Sequence, residues 1–144
     1  MEQPAEKDLP LSSRIQRLPL PEKIRLALTG DKDARALLCR DPSKVVLAAL
    51  LQNPRLSDPE ILQMARDRNL PEEILSELVR RKEWIKKYPV RLALVQNPKL
   101  PLPSALKLLG TLRDPDLRKI ARSKDVPSQI AAGARRTLAA RGLL

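Results

Sequence analysis

Histidine and phenylalanine are absent from this 144-residue chain, cysteine, tryptophan and tyrosine occur once each, and glycine occurs only four times. Without histidine there is no imidazole base, no imidazole metal ligand and no Ser–His or Cys–His nucleophile pair. A single cysteine, Cys39, rules out an intramolecular disulfide and any cysteine-based metal set. It lies in the apolar run Ala34-Arg-Ala-Leu-Leu-Cys39 and is expected to serve as a small buried hydrophobe. So little glycine leaves no Gly-rich phosphate loop. No apolar run approaches the ~20 residues that cross a bilayer. The opening Met1-Glu-Gln-Pro-Ala-Glu-Lys-Asp is polar and of mixed charge, unlike a secretory leader. A cytoplasmic protein with no membrane span, no cofactor, no metal and no small-molecule substrate is the expectation, and no enzyme activity is expected.

What the chain does have is leucine, alanine, isoleucine and valine, which supply nearly all of its 42 % hydrophobic content. Small aliphatic side chains suit short helices packed closely, and strands would draw on more aromatic and β-branched residues. The segment Val46–Leu62 returns 44 residues later as Val90–Leu106, with nine of seventeen positions identical, among them the run Gln52-Asn53-Pro54 and Gln96-Asn97-Pro98. A repeat of this period marks a stacked helical array, which binds through an extended surface rather than a buried pocket.

Proline punctuates the chain at helix starts. Pro21, Pro42, Pro59, Pro71, Pro103, Pro115 and Pro127 each precede an apolar-periodic run, because the missing N–H costs nothing in a first turn. Asp41, Asp58 and Asp114 precede three of these prolines and are expected to cap backbone N–H groups, as are Asp31 and Asp33. The pattern predicts helices near 21–29, 32–39, 42–52, 58–67, 71–82, 89–96, 103–109, 115–122 and 127–141, with Gly142 as a stop and a further turn within 83–88. Residues 1–18 are expected to form an arm, mobile over its first eight residues and docked through Ile15, Leu18 and Leu20. Residues 19–144 are expected to form one domain with repeat copies near 45–88 and 89–132. Proline disfavours helix in the residue before it, so Asn53 and Asn97 should end their helices, and Leu56 and Leu100 should return to the core.

The Gln-Asn-Pro-(Arg/Lys)-Leu segments resemble the variant leucine-rich repeats, and more loosely the HEAT-like repeats, of bacterial proteins. The stretch Leu20–Arg141 is similar to short bacterial proteins of that architecture. The resemblance implies an all-α fold, a right-handed α-solenoid of short stacked helices serving as a binding scaffold. Some variant leucine-rich repeat proteins carry an iron–sulfur cluster on a cysteine-rich segment, a feature that does not transfer to a chain with one cysteine. Some HEAT-like proteins are DNA glycosylases with a basic concave groove, and no catalytic motif here matches them.

Charge is the functional signal. The net is +11, yet residues 1–79 hold 12 Lys/Arg against 13 Asp/Glu and residues 80–144 hold 16 against 4. Such asymmetry points to an acidic partner. The candidate partner-binding residues fall in three groups: Arg80, Arg81, Lys82, Lys86 and Lys87 around Trp84 and Tyr88; Arg113, Arg118, Lys119, Arg122 and Lys124; and Arg135 and Arg136, with Arg141 beyond. Trp84 and Tyr88 are either exposed anchors or fillers of a repeat junction, and the cations either a docking face or a solvated surface. A noncatalytic adaptor that docks an acidic protein surface is the first expectation. Binding of DNA or structured RNA through phosphates, without base readout, is the alternative. Two aromatic residues are too few for a base-stacking platform.

Overall fold

In a computed structural model that describes Ala5 and residues 8–144, the chain is all-helical: eleven α-helices and no strand among the described residues. The chain divides into two compact units, Met1–Glu60 and Ile61–Leu144. The first holds α1 (Leu11–Gln16), α2 (Leu20–Thr29), α3 (Lys32–Leu38), α4 (Lys44–Leu50) and the start of α5 (Asp58–Arg66). The second holds the rest of α5, then α6 (Glu72–Arg80), α7 (Lys82–Ile85), α8 (Tyr88–Gln96), α9 (Leu102–Leu109), α10 (Asp114–Arg122) and α11 (Ser128–Ala140). Most of the segment expected to be mobile, residues 1–4, 6 and 7, lies outside the described residues. The remainder of the expected arm carries α1, whose Ile15 is buried.

Helix starts follow proline, with local chemistry that differs from the expected aspartate caps. Pro19, Pro71, Pro101 and Pro127 stand directly before α2, α6, α9 and α11. Asp31 does cap α3, accepting from the Ala34 N–H at 3.0 Å. Asp58 and Asp114 are instead the first residues of their helices, where a negative charge still favours the positive helix end. Before α5, Ser57 and Glu60 form a capping box: the Ser57 N–H donates to Glu60 Oε2 at 2.7 Å and the Glu60 N–H to Ser57 Oγ at 3.4 Å. Asp41 acts one turn early. It accepts from the Ser43 N–H at 2.9 Å and pairs with Lys23 at 3.0 Å, leaving Ser43 to cap α4. The predicted helix 71–82 breaks at Arg81, whose backbone is extended, so α7 starts as a separate turn.

The two Asn-Pro corners have the same internal geometry, each within its own unit. Asn53 Nδ2 donates to the carbonyls of Ala27 and Gly30 at 3.0 and 3.2 Å, and its Oδ1 accepts from the Arg55 N–H at 2.9 Å. Asn97 Nδ2 donates to Ala65 and Asp67 at 2.9 and 3.0 Å, and its Oδ1 accepts from the Lys99 N–H at 3.0 Å. Both side chains are 4 % exposed. In each case the amide bonds to carbonyls at the C-terminal end of an earlier helix, α2 or α5, of which Gly30 O also accepts from Arg35 and Asp67 O from the Leu70 N–H, while its oxygen fixes the turn after the proline. Of the two corner leucines, Leu100 is buried and Leu56 half-buried.

Forty-four residues after Asn97 stands Arg141. Its guanidinium donates to Gly110 O at 3.0 Å and Leu112 O at 2.9 Å, the carbonyls just beyond α9, and pairs with Asp114. The residues seven and three before each of these three positions are buried in every case: Val46 and Leu50, Val90 and Leu94, Ala134 and Leu138. At the end of α11 a guanidinium thus reaches carbonyls beyond an earlier helix, as the amides of Asn53 and Asn97 do. Gly142, at φ 75°, ends that helix with the Leu143 N–H on Leu138 O and the Gly142 N–H on Ala139 O, a Schellman motif.

Core packing relies on small residues where helices meet closely. In the first unit α2 packs on α3 and α4 around Ala27, Leu38 and Leu50, all fully buried. In the second, α11 packs on α9 and α10, with Leu117 and Ile120 of α10 meeting the α11 side that carries Ala131, Ala134 and Leu138. Gly133 marks the tightest approach: a Cβ there would lie 2.8 Å from Leu109 and 2.9 Å from Leu106 of α9.

Candidate docking surface

The structure sorts the candidate residues into those bound internally and those left to solvent. Arg80 and Arg81 are both ion-paired, although the Arg80 side chain is 66 % exposed. Glu77 accepts from Arg80 Nη2 at 2.6 Å and from Arg81 Nε at 3.0 Å, and these hydrogen bonds hold its carboxyl below the usual range. Arg81 also lies 3.6 Å from Glu83 and stacks 4.9 Å from the centroid of Trp84. Trp84 is only 8 % exposed, so its indole fills the core under α7 and offers no exposed anchor. Lys82 and Lys86 are exposed and Lys87 is half-buried.

Tyr88 is likewise engaged. Its hydroxyl donates to Asp116 and accepts from the Arg113 N–H at 3.0 Å, tying the start of α8 to the start of α10. The Arg113 guanidinium lies 4.1 Å over one part of the ring and Arg91 5.4 Å from its centroid. Burial and the Asp116 carboxylate both push the phenol above its ordinary value. Arg91 was not among the sequence candidates, because its counterpart in the first copy is the buried Leu47. It donates to Ile85 O and Lys86 O at 3.1 and 2.9 Å, the last carbonyls of the four-residue α7, and to Thr111 Oγ1 at 3.1 Å. No property of its sequence neighbourhood signals that reach.

Arg118, Lys119 and Arg122 of α10 are different. All three are exposed, and among the described residues none enters an ion pair. At about 100° per residue they share one arc opposite the buried Leu117 and Ile120. The acids of the same helix are already occupied, Asp114 by Arg141 and Asp116 by Tyr88. Exposed Lys124 follows the helix end. Arg135 of α11 donates to Ala121 O at 2.8 Å, which ties it to the last turn of α10. Arg136 turns the other way, its Nη2 lying 3.6 Å from where a Gly133 Cβ would stand. The three candidate groups thus do not merge into one. Arg118, Lys119 and Arg122 of α10, Lys124 and the mid-helix Arg135 of α11 remain exposed, while Arg80, Arg81, Trp84, Tyr88 and Arg113 are engaged with neighbouring side chains.

No cluster of three or more Asp, Glu or Cys side chains suited to a metal ion occurs among the described residues, and none of the helices is long and apolar enough to cross a membrane. The half-buried Cys39 donates its thiol to Ala36 O at 3.0 Å rather than lying fully in the core. Comparison of the chain with protein-family models, curated proteins and solved structures gives no match.

Proposed function

We propose that the protein is a noncatalytic helical-repeat module, a right-handed solenoid acting in the cytoplasm, that docks an acidic protein through the outward face of α10 and the adjoining turn of α11. One observation carries this reading: the three cations of α10 are exposed and unpaired, although the fold does not need them there. The earlier helix α6 buries Leu75 and Leu78 as α10 buries Leu117 and Ile120. At the place of Lys119, however, α6 has Glu77, which is bonded to Arg80 and Arg81. A core of the same pattern forms on α6 with three glutamates and one arginine, against two aspartates and three cations on α10, so the cations of α10 are not a by-product of helix formation. Repulsion among uncompensated cations is relieved by an acidic partner. With Trp84 buried and Tyr88 engaged, no aromatic face is left to stack bases, which argues against base-reading RNA binding and leaves phosphate binding without base readout as the alternative.

The test is a triple variant, Arg118→Gln, Lys119→Gln and Arg122→Gln, titrated with polyglutamate, duplex DNA and structured RNA. Nuclease-treated wild-type protein should bind polyglutamate at low salt, weaken steeply as salt rises, and lose most of that binding in the variant. Preference for DNA or RNA of any sequence, lost in the same variant, would assign the face to phosphates instead. Polyglutamate binding that the triple variant leaves unchanged would end the proposal.

A further inference from the structure

The second repeat departs from the first at a position where the fold does not ask for it. The helix after the first Asn-Pro corner, α5, opens Ser57-Asp58-Pro59-Glu60, whereas α9 opens Pro101-Leu102-Pro103-Ser104. Asp58 thus becomes Leu102, and the capping box is lost. Leu102 is 38 % exposed and Leu106, one turn on, 36 % exposed. They are two of the few large apolar side chains that the described residues present to water, and they lie on neighbouring turns of one helix. α5 shows that a helix starts at this place with an aspartate, so burial in the core does not account for Leu102.

The surroundings of this pair are basic. Leu106 meets Gly133 of α11, and the Arg136 guanidinium reaches the same spot. Neither α9 nor α11 contains an Asp or Glu. A shelf of two leucines edged by an arginine, on helices free of acid, matches a ligand that offers apolar groups and carboxylates together. A phosphodiester chain has nothing to place on the leucines.

Building on the docking role set out above, we infer that the α9–α11 shelf receives an acidic amphipathic helix of a partner protein. Its leucine-like side chains cover Leu102 and Leu106, and its carboxylates reach Arg136, as in other helix-in-groove complexes. The inference adds, on the α9 side of α11, an apolar contact that is separate from the α10 cations and sets specificity, because charge alone does not distinguish one acidic sequence from another.

The experiment compares three probes: a peptide of about 18 residues, long enough to be helical, with leucines at i, i+3, i+4 and i+7 and glutamates elsewhere; a scrambled peptide of the same composition; and polyglutamate. The amphipathic peptide should bind about tenfold more tightly than the scrambled one, the size expected from covering two part-exposed leucines. The variant Leu102→Gln/Leu106→Gln should lose that preference and keep its affinity for polyglutamate, which also shows that it is folded. Equal binding of the two peptides to the wild-type protein, or a preference that survives in the variant, overturns the shelf and leaves the basic face standing. Failure of all three probes to bind overturns both.

Discussion

Replacing Asn97 tests whether the buried corner amide organises the repeat. Asn97 makes three hydrogen bonds at 2.9–3.0 Å while only 4 % exposed. In Asn97→Ala the Lys99 N–H turns to water, since Lys99 is exposed, but the carbonyl of the fully buried Ala65 loses a donor with nothing to replace it. An unsatisfied buried group costs about 1–3 kcal/mol and each lost net bond about 1 kcal/mol, so the loss should be about 2–4 kcal/mol. For a chain of this size that is a fall in Tm of roughly 6–14 °C. Asn97→Asp keeps the shape but points a carboxylate at two carbonyl oxygens. At neutral pH it should be less stable than Asn97→Ala. Its carboxyl should have a folded pKa above the unfolded value of about 3.9, because only the protonated form can donate. The extra penalty is therefore full above the raised folded pKa and fades as pH falls toward 3.9. Urea unfolding of the two variants at pH 7 and near pH 4 checks this through the difference between them, in which the wild-type acid response cancels. If Asn97→Ala lies within 0.5 kcal/mol of wild type, a figure of the order of surface substitutions, or if the gap between the variants does not narrow in acid, the corner is not held in the way described.

Three further outcomes follow from the same structure. Gly30→Ala should destabilise by about 1–3 kcal/mol in thermal unfolding, since a Cβ there would sit 2.5 Å from the Leu26 carbonyl oxygen, which cannot move without disrupting α2. Emission from Trp84 should be blue-shifted and resist acrylamide until the chain unfolds, given its burial; ready quenching of the native protein would contradict that placement. Burial opposes ionisation of Glu60, but the Ser57 N–H and Arg35 outweigh it and lower its pKa, and Glu77 is lowered by Arg80 and Arg81. Both contributions are complete above the ordinary glutamate value of about 4.3 and disappear as pH drops through the lowered folded values. Acid unfolding should therefore be less steep in Glu60→Gln than in wild type.

The sequence disclosed those features that depend on neighbours a few residues away. Proline placement and apolar period located α2 to α6 and α8 to α11 because both signals act within a helical turn. α1 escaped notice because six residues between Pro10 and Pro19 carry little period. The Asn-Pro motif showed where helices end, but not that each amide spans 26 or 32 residues to close an earlier helix. The bonds of Arg141 to Gly110 O and Leu112 O stayed hidden because Arg141-Gly142 shares neither residue of the Asn-Pro motif. The same limit applied to charge. Arg80, Arg81, Arg113, Arg118 and Lys119 are alike in sequence, and only the fold shows that the first three are engaged with Glu77 and Tyr88 while the last two are not. Whether Trp84 is an anchor or a filler stayed open, and Arg91 was missed, for the same reason, since burial and reach are set by distant residues.

The most direct test of the docking face is an amide chemical-shift map of the isotope-labelled protein titrated with polyglutamate at low salt. Shifts that saturate together and concentrate on Arg118, Lys119, Arg122, Lys124 and Arg135, with the Arg80–Arg81 and Tyr88–Arg113 regions little changed, are the expected result. Shifts spread evenly over every lysine and arginine of the chain, or centred on Arg80 and Arg81, would contradict it.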